Sequence, residues 1–106
     1  MLDLGFAVRN TPSALRDLDQ QMIWLENNRS ESYADRFLQA FKQLKVTLSK
    51  QPFRWQKVVV RGRTVRRAVL MKNWVVLYAI FPDDEVVMIY SIRGAAEDWT
   101  NQPISD

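Results

Sequence analysis

Between residues 12 and 52 the apolar side chains recur every three or four positions, whereas from Thr64 onward they run in blocks of about eight. This change of period dictates that two amphipathic helices share a core with a sheet. In the first helical stretch Leu15, Leu18, Met22 and Leu25 form the apolar stripe, which ends near Asn27-Asn28. Thr11 offers a capping hydroxyl, and Pro12 stands at the first helical position, where its missing N–H costs nothing. The second stretch starts at a capping Ser30 and places Ala34, Phe37, Leu38, Phe41, Leu44 and Leu48 on one stripe. Arg36, Lys42, Lys45 and Lys50 lie elsewhere on it, and Pro52 ends it. So short a link as Asn27-Asn28-Arg29-Ser30 predicts an antiparallel helical hairpin.

Thr64–Met71, Trp74–Phe81 and Glu85–Ile92 are rich in Val, Ile, Leu, Trp and Tyr, the composition of strands. Lys72-Asn73 and Pro82-Asp83-Asp84 separate them and are short enough for tight antiparallel hairpins. Residues 5–9 alternate weakly and predict a short first strand. Phe53–Arg63 is basic and aromatic, with Gly62 marking a turn. The expected fold is α+β: strand, helix, helix, then three strands, the helical hairpin packed on one face of a twisted antiparallel sheet. At 106 residues the chain suits one domain, 1–106, with one modest core.

The chain has neither Cys nor His. That removes disulfides, Cys/His zinc sites, Cys nucleophiles and every triad that needs an imidazole. No phosphate loop, dinucleotide fingerprint or metal-ligand spacing occurs, so neither a cofactor nor a metal is expected. The start, Met1-Leu2-Asp3-Leu4-Gly5, lacks the basic and apolar runs of a secretory signal. The longest apolar run, Trp74 to Phe81, falls short of the roughly 20 residues of a membrane helix. A cytoplasmic protein is the expectation, with any chemistry left to Arg, Lys, Tyr, Ser/Thr or carboxylates.

The net charge of +3 hides a sharp segregation. Residues 36–82 carry eleven bases and no acid, while the flanks, 1–35 and 83–106, carry six acids each against three bases and one. Such a middle is a solvated basic face or a surface for something anionic. Its densest part is Arg61-Gly62-Arg63-Thr64-Val65-Arg66-Arg67, extended by Arg54, Lys57 and Lys72. Guanidinium groups grip carboxylates and phosphates bidentately, so the cluster suits an acidic protein segment or a nucleic-acid backbone. On a strand Arg67 shares a face with Val65 and Val69, and Arg66 one with Ala68 and Leu70, so at least one of them meets an apolar face. Among the aromatic residues, Trp74, Tyr78 and Phe81 suit the core. Trp55 and Trp99 lie outside the periodic segments and suit an interface. The acidic turn Asp83-Asp84-Glu85 suits local backbone capping.

Several of these stretches are similar to the RelE/ParE toxin superfamily: Leu15-Arg16-Asp17-Leu18-Asp19 and Ile23-Trp24-Leu25-Glu26-Asn27-Asn28 in the first helix, and Tyr33-Ala34-Asp35-Arg36-Phe37 leading to Leu48-Ser49-Lys50-Gln51-Pro52 in the second. So are the sheet runs Val65–Val69, Trp74–Phe81 and Val86–Arg93. The resemblance spans roughly residues 6–99 and rests on element order plus scattered positions. It implies the helical hairpin against a twisted antiparallel sheet, and a role as the toxin of a bacterial type II toxin–antitoxin, or plasmid-stabilisation, pair. It also implies an acidic antitoxin that silences it.

The superfamily divides by target: RelE-like members cut mRNA on the ribosome, and ParE-like members poison DNA gyrase. The ribonuclease branch implies cationic side chains on the scissile phosphate, for which Arg67 and Arg93 are the possible catalytic matches here. Where many relatives carry His after the last strand, this chain has Ser91-Ile92-Arg93-Gly94-Ala95, and Trp99 stands where a reactive Tyr is expected. Arginine stays protonated and is a poor base. The expectation is therefore a ParE-like toxin that binds a protein target such as DNA gyrase without chemistry of its own. Arg54, Trp55, Lys57, Arg61, Arg63, Arg66, Arg67, Lys72, Arg93 and Trp99 would form its contacts with antitoxin or target. The alternatives are a RelE-like, ribosome-dependent mRNA endoribonuclease and a degenerate, non-toxic member that only binds antitoxin.

Overall fold

A computed structural model describes residues 5–105. Its elements are β1 (Ala7–Asn10), α1 (Pro12–Asn28), α2 (Glu31–Lys50), β2 (Lys57–Val60), β3 (Arg63–Leu70), β4 (Trp74–Phe81) and β5 (Val86–Gly94). Single 3-10 turns follow at Pro82–Asp84 and Trp99–Asn101. Both helices start on the caps their sequence offers: the Thr11 hydroxyl accepts from the Ala14 N–H at 3.1 Å, and that of Ser30 from Tyr33 N–H at 3.0 Å.

The five strands form one sheet in the order β1-β5-β4-β3-β2. The α+β class and the strand-helix-helix-strand succession agree with the sequence; two details differ. The sheet is mixed, because β1 lies parallel to β5, from Ala7 opposite Val86 to Asn10 opposite Ile89. The neighbour of β1 is the last strand, some 80 residues on, and no local spacing carries the direction of so distant a pairing. Second, the basic stretch before Gly62 supplies an extra edge strand, β2. The two-residue turn Arg61-Gly62 has positive φ at both positions, +50° and +80°, which suits a hairpin turn twisted like its strands.

The helical hairpin covers one face of the sheet. Phe37, Leu48 and Leu25, all essentially fully buried, pack with Ala68, Val76, Tyr78, Val87 and Ile89. The rings of Phe37 and Trp74 meet edge-on at 4.7 Å. On α1 the buried face is turned from the simple stripe: Ala14 is buried and Leu15 exposed. Phe81, read as core, is 42% exposed at the end of β4, while Trp74 and Tyr78 are buried as expected.

The second face of the sheet carries a smaller cluster, Val60, Val65, Leu77 and Tyr90, with Trp99 and Ile104 of the C-terminal segment packed against it. Between Leu77 and Tyr78 the register slips: Leu77 pairs with Ser91 and Tyr78 with Ile89, leaving Tyr90 as the extra residue of a bulge in β5. Among the described residues no helix is long and apolar enough to cross a membrane.

Candidate functional site

Strand alternation divides the basic cluster into two groups. β3 is paired with β2 on one side, Lys57 opposite Arg66 and Val58 opposite Val65, and with β4 on the other, Arg67 opposite Leu77. Arg66 therefore falls on the helical side. Its guanidinium donates to the Trp55 carbonyl at 2.6 Å and lies over the Phe53 ring at 5.2 Å. Arg54 stacks on Trp55 at 4.9 Å, and Lys57 is exposed nearby. This group flanks the buried Tyr78, whose hydroxyl donates to the Pro52 carbonyl at 2.8 Å. Burial raises the Tyr78 pKa, and the positive charge of Arg66 offsets part of that rise.

Arg61, Arg63, Arg67 and Arg93 gather about the second face, under and around the C-terminal segment. Arg61 donates to the Asn101 carbonyl at 2.9 Å. Arg63 lies 4.3 Å above the centre of the Tyr90 ring, and Arg67 lies 6.0 Å from that of Trp99. The Nε of Arg67 is buried without a hydrogen-bond partner. Lys72 stands apart from both groups, exposed in the turn between β3 and β4.

Arg93 is the most deeply engaged of the cations, at 7% exposure. Its Nε donates to Ser91 Oγ at 2.8 Å, one Nη to the Trp99 and Gln102 carbonyls at 2.6 Å each, and the other Nη to the Pro103 carbonyl at 2.8 Å. Ser91 Oγ in turn donates to Asp17 of α1 at 2.9 Å, and the same carboxylate oxygen accepts the Ile92 N–H at 2.9 Å. A continuous chain thus runs from α1 through the β5 bulge to the segment beyond Trp99. Burial lowers the Arg93 pKa, while the carboxylates of Asp17 and Glu97 push it back up. The group stays cationic at ordinary pH. Its chemistry here is that of a clamp on its own chain, which neither takes up nor releases a proton.

The site residues read from the sequence therefore lie in three places: Arg54, Trp55, Lys57 and Arg66 beside the helical side, Arg61, Arg63, Arg67, Arg93 and Trp99 on the opposite face, and Lys72 alone. Sequence reasoning missed the Asp17–Ser91–Arg93 chain, because its members are joined only through the α1–β5 contact. It also missed a cleft of about 720 Å³ between α1, the start of α2, Asn73-Trp74 and Gly94–Glu97. One signal for that cleft was present: Trp24 lies off the Leu18–Met22–Leu25 stripe, and is 53% exposed.

A family model described as the ParE toxin of the type II toxin–antitoxin system parDE matches residues 8–99. Among solved structures, the chromosomal ParDE system of P. aeruginosa superposes with a TM-score of 0.67 at 14% identity, over 87% of this chain and 98% of the other. The RelBE2 toxin–antitoxin complex of Mycobacterium tuberculosis gives 0.59 at 23% identity, covering 85% and 98%. The archaeal RelE–RelB complex of Pyrococcus horikoshii gives 0.51 at 16% identity, covering 88% and 98%. No curated protein matches the chain. At these identities the structural likeness establishes the fold, and the family model carries the assignment.

Proposed function

This chain belongs to the ParE toxin family of type II toxin–antitoxin systems, and from that premise we propose that it poisons a protein target in the cytoplasm, DNA gyrase, and is silenced by an acidic antitoxin. The observation that favours a toxin acting by binding over a ribonuclease is the environment of Arg93. All three of its guanidinium nitrogens are bound to Ser91 and to three backbone carbonyls of its own tail. A cation so engaged is poorly placed to take a scissile phosphate. Trp99 packs against the sheet, Tyr90 lies buried beneath Arg63, and the chain contains no His. The second face thus presents cations and rings but no group suited to move a proton near neutral pH. Binding, with no reaction of its own, is the activity such a surface supports. The many cations of residues 54–72 suit an acidic antitoxin.

One observation favours the ribonuclease alternative. Arg67 stands beside the half-buried Trp99 ring, and a guanidinium next to an aromatic ring is an arrangement able to hold a phosphate beside a stacked base. Inducible expression in a bacterial host, with pulse labelling of DNA, RNA and protein, separates the readings. Gyrase poisoning predicts an early fall in DNA synthesis with an SOS response. An early fall in protein synthesis with cut mRNA would refute it in favour of the ribonuclease. Normal growth at confirmed soluble levels would refute both and leave a member that only binds antitoxin.

A further inference from the structure

On the helical side of the sheet, beyond the end of α2, a groove of about 250 Å³ stays open beside the β2–β3 hairpin. Phe53, Lys57, Thr64 and Arg66 line it, with Ile80 and Pro82 from the end of β4. Strand pairing explains the set. Lys57 lies opposite Arg66 and Val59 opposite Thr64, and alternation turns all four to the face that the helices cover farther along β3. At this end the cover stops, and Lys57, Val59 and Thr64 are exposed. The Phe53 ring stands at the rim, 57% exposed and propped edge-on against Phe6 at 6.4 Å.

The only charged residues of the lining are cations, Lys57 and Arg66, and Arg54 adds a third from the loop after α2. Among the described residues none of the three is paired with a carboxylate. The acidic turn Asp83-Asp84-Glu85 begins past Pro82, and none of its carboxylates lines the groove. Rings interleave with the cations: Arg66 lies over Phe53 at 5.2 Å and Arg54 over Trp55 at 4.9 Å. Cations that grip phosphates beside rings that accept bases are the two contacts a single nucleic-acid strand needs. An acidic peptide would use the cations and leave the exposed ring idle, and a duplex keeps its bases stacked away from it.

We propose that this groove binds a single strand of DNA, with phosphates on Arg54, Lys57 and Arg66 and a base on the open face of Phe53. The proposal rests on the reading of the chain as a toxin directed at gyrase, an enzyme that works on DNA, and gives that toxin a contact with the nucleic acid beside the one with the protein. Every base has a face to stack, so the contact carries no sequence preference. The groove is separate from Arg67 and Trp99, which lie on the opposite face of the sheet. An antitoxin that covers the same cations shuts the strand out.

The test titrates the full chain into fluorescein-labelled oligothymidylate of about ten nucleotides and follows anisotropy. Saturable binding tighter than about 0.1 mM is expected at about 50 mM salt. It should be about twentyfold weaker at about 200 mM, because each of three phosphate contacts adds about 0.7 to the salt slope. Lys57→Glu should weaken it about tenfold, and Phe53→Ala about fivefold or more. Lys42→Glu, the same change of charge at an exposed position of α2, should leave it within about twofold. Lys57 and Phe53 are exposed, so both variants should keep the fold, and an unchanged near-ultraviolet circular dichroism spectrum checks this. Equal weakening by Lys42→Glu would reduce the effect to net charge and overturn the proposal, as would binding indifferent to salt or to Phe53→Ala. Binding of oligouridylate about tenfold tighter than that of oligothymidylate would give the groove to RNA and refute it. Failure to bind the oligothymidylate, with capture of an octaglutamate peptide that Lys57→Glu abolishes, would give it to an acidic protein. Pulse labelling is read separately. An early fall in DNA synthesis without oligothymidylate binding removes the strand and keeps the toxin reading; binding with normal growth removes the toxin reading and keeps the groove.

Discussion

Replacing Arg93 by alanine tests the clamp on which the functional reading rests. Its guanidinium makes four hydrogen bonds, one to the buried Ser91 hydroxyl and three to carbonyls of Trp99, Gln102 and Pro103. A hydrogen bond to a charged group contributes about 1.5–3 kcal/mol, and its loss costs most where the partner stays buried. Gln102 and Pro103 are exposed and Trp99 is half-buried, so water replaces the cation at those carbonyls and lowers the cost. Loss of the tail also uncovers Val60, Val65 and Leu77, against which Trp99 and Ile104 pack. Together these effects amount to about 3 kcal/mol, a large share of the roughly 5–15 kcal/mol that holds a domain of this size. The melting temperature should fall by about 15 °C. Urea unfolding followed by tryptophan fluorescence reads the loss, and carboxypeptidase digestion reads release of the segment after Gly94. Arg93→Lys should recover less than half of it, because a point charge cannot span acceptors that lie along three separate N–H directions. If Arg93→Ala unfolds within about 0.5 kcal/mol of the parent and its tail stays protected, the clamp contributes nothing and the argument against a phosphate-binding Arg93 falls with it.

The remaining perturbations address the binding surface, a buried hydroxyl and a turn. Arg66→Glu with Arg67→Glu should weaken antitoxin binding by several kcal/mol in calorimetry, provided circular dichroism confirms the fold, since Arg66 also holds the Trp55 carbonyl; unchanged affinity would place the antitoxin elsewhere. Tyr78→Phe removes the hydroxyl bonded to Pro52 and should cost about 1–2 kcal/mol in urea unfolding near neutral pH. The pKa of Tyr78 is raised in the fold, so the proton it retains stabilises the native state below its ordinary value of 10.0. That contribution is lost as the pH rises beyond 10.0, and Tyr78→Phe should flatten this alkaline decline relative to the parent. Gly62→Ala meets no atom within 4 Å, but its φ of +80° strains any side chain. It should therefore lose about 1 kcal/mol in thermal unfolding, and a neutral result would mean that the turn relaxes.

The two helices, their caps and the three central strands were legible in the sequence because each is a local pattern. A hydroxyl three residues before an N–H, a stripe every three or four residues and a β-branched run all act within one element. β2 was hidden because Lys57–Val60 lies between basic and aromatic residues, and its pairing partner becomes evident only through the Arg61-Gly62 turn. The basic cluster was legible as composition. Its division between two faces depended on the pleat and on which face the helices cover.

The sequence by itself determined the fold class and the means available to the protein, since a chain without Cys or His has neither thiol nor imidazole chemistry. Tertiary structure decided what the individual side chains do. Arg93 becomes a clamp only because the tail folds back across the sheet, and Asp17 reaches Ser91 only because α1 packs on β5. Trp24 and Trp74, fifty residues apart, face one cleft for the same reason. Periodicity reports which face of an element is buried; which distant element buries it follows from how the whole chain closes its core.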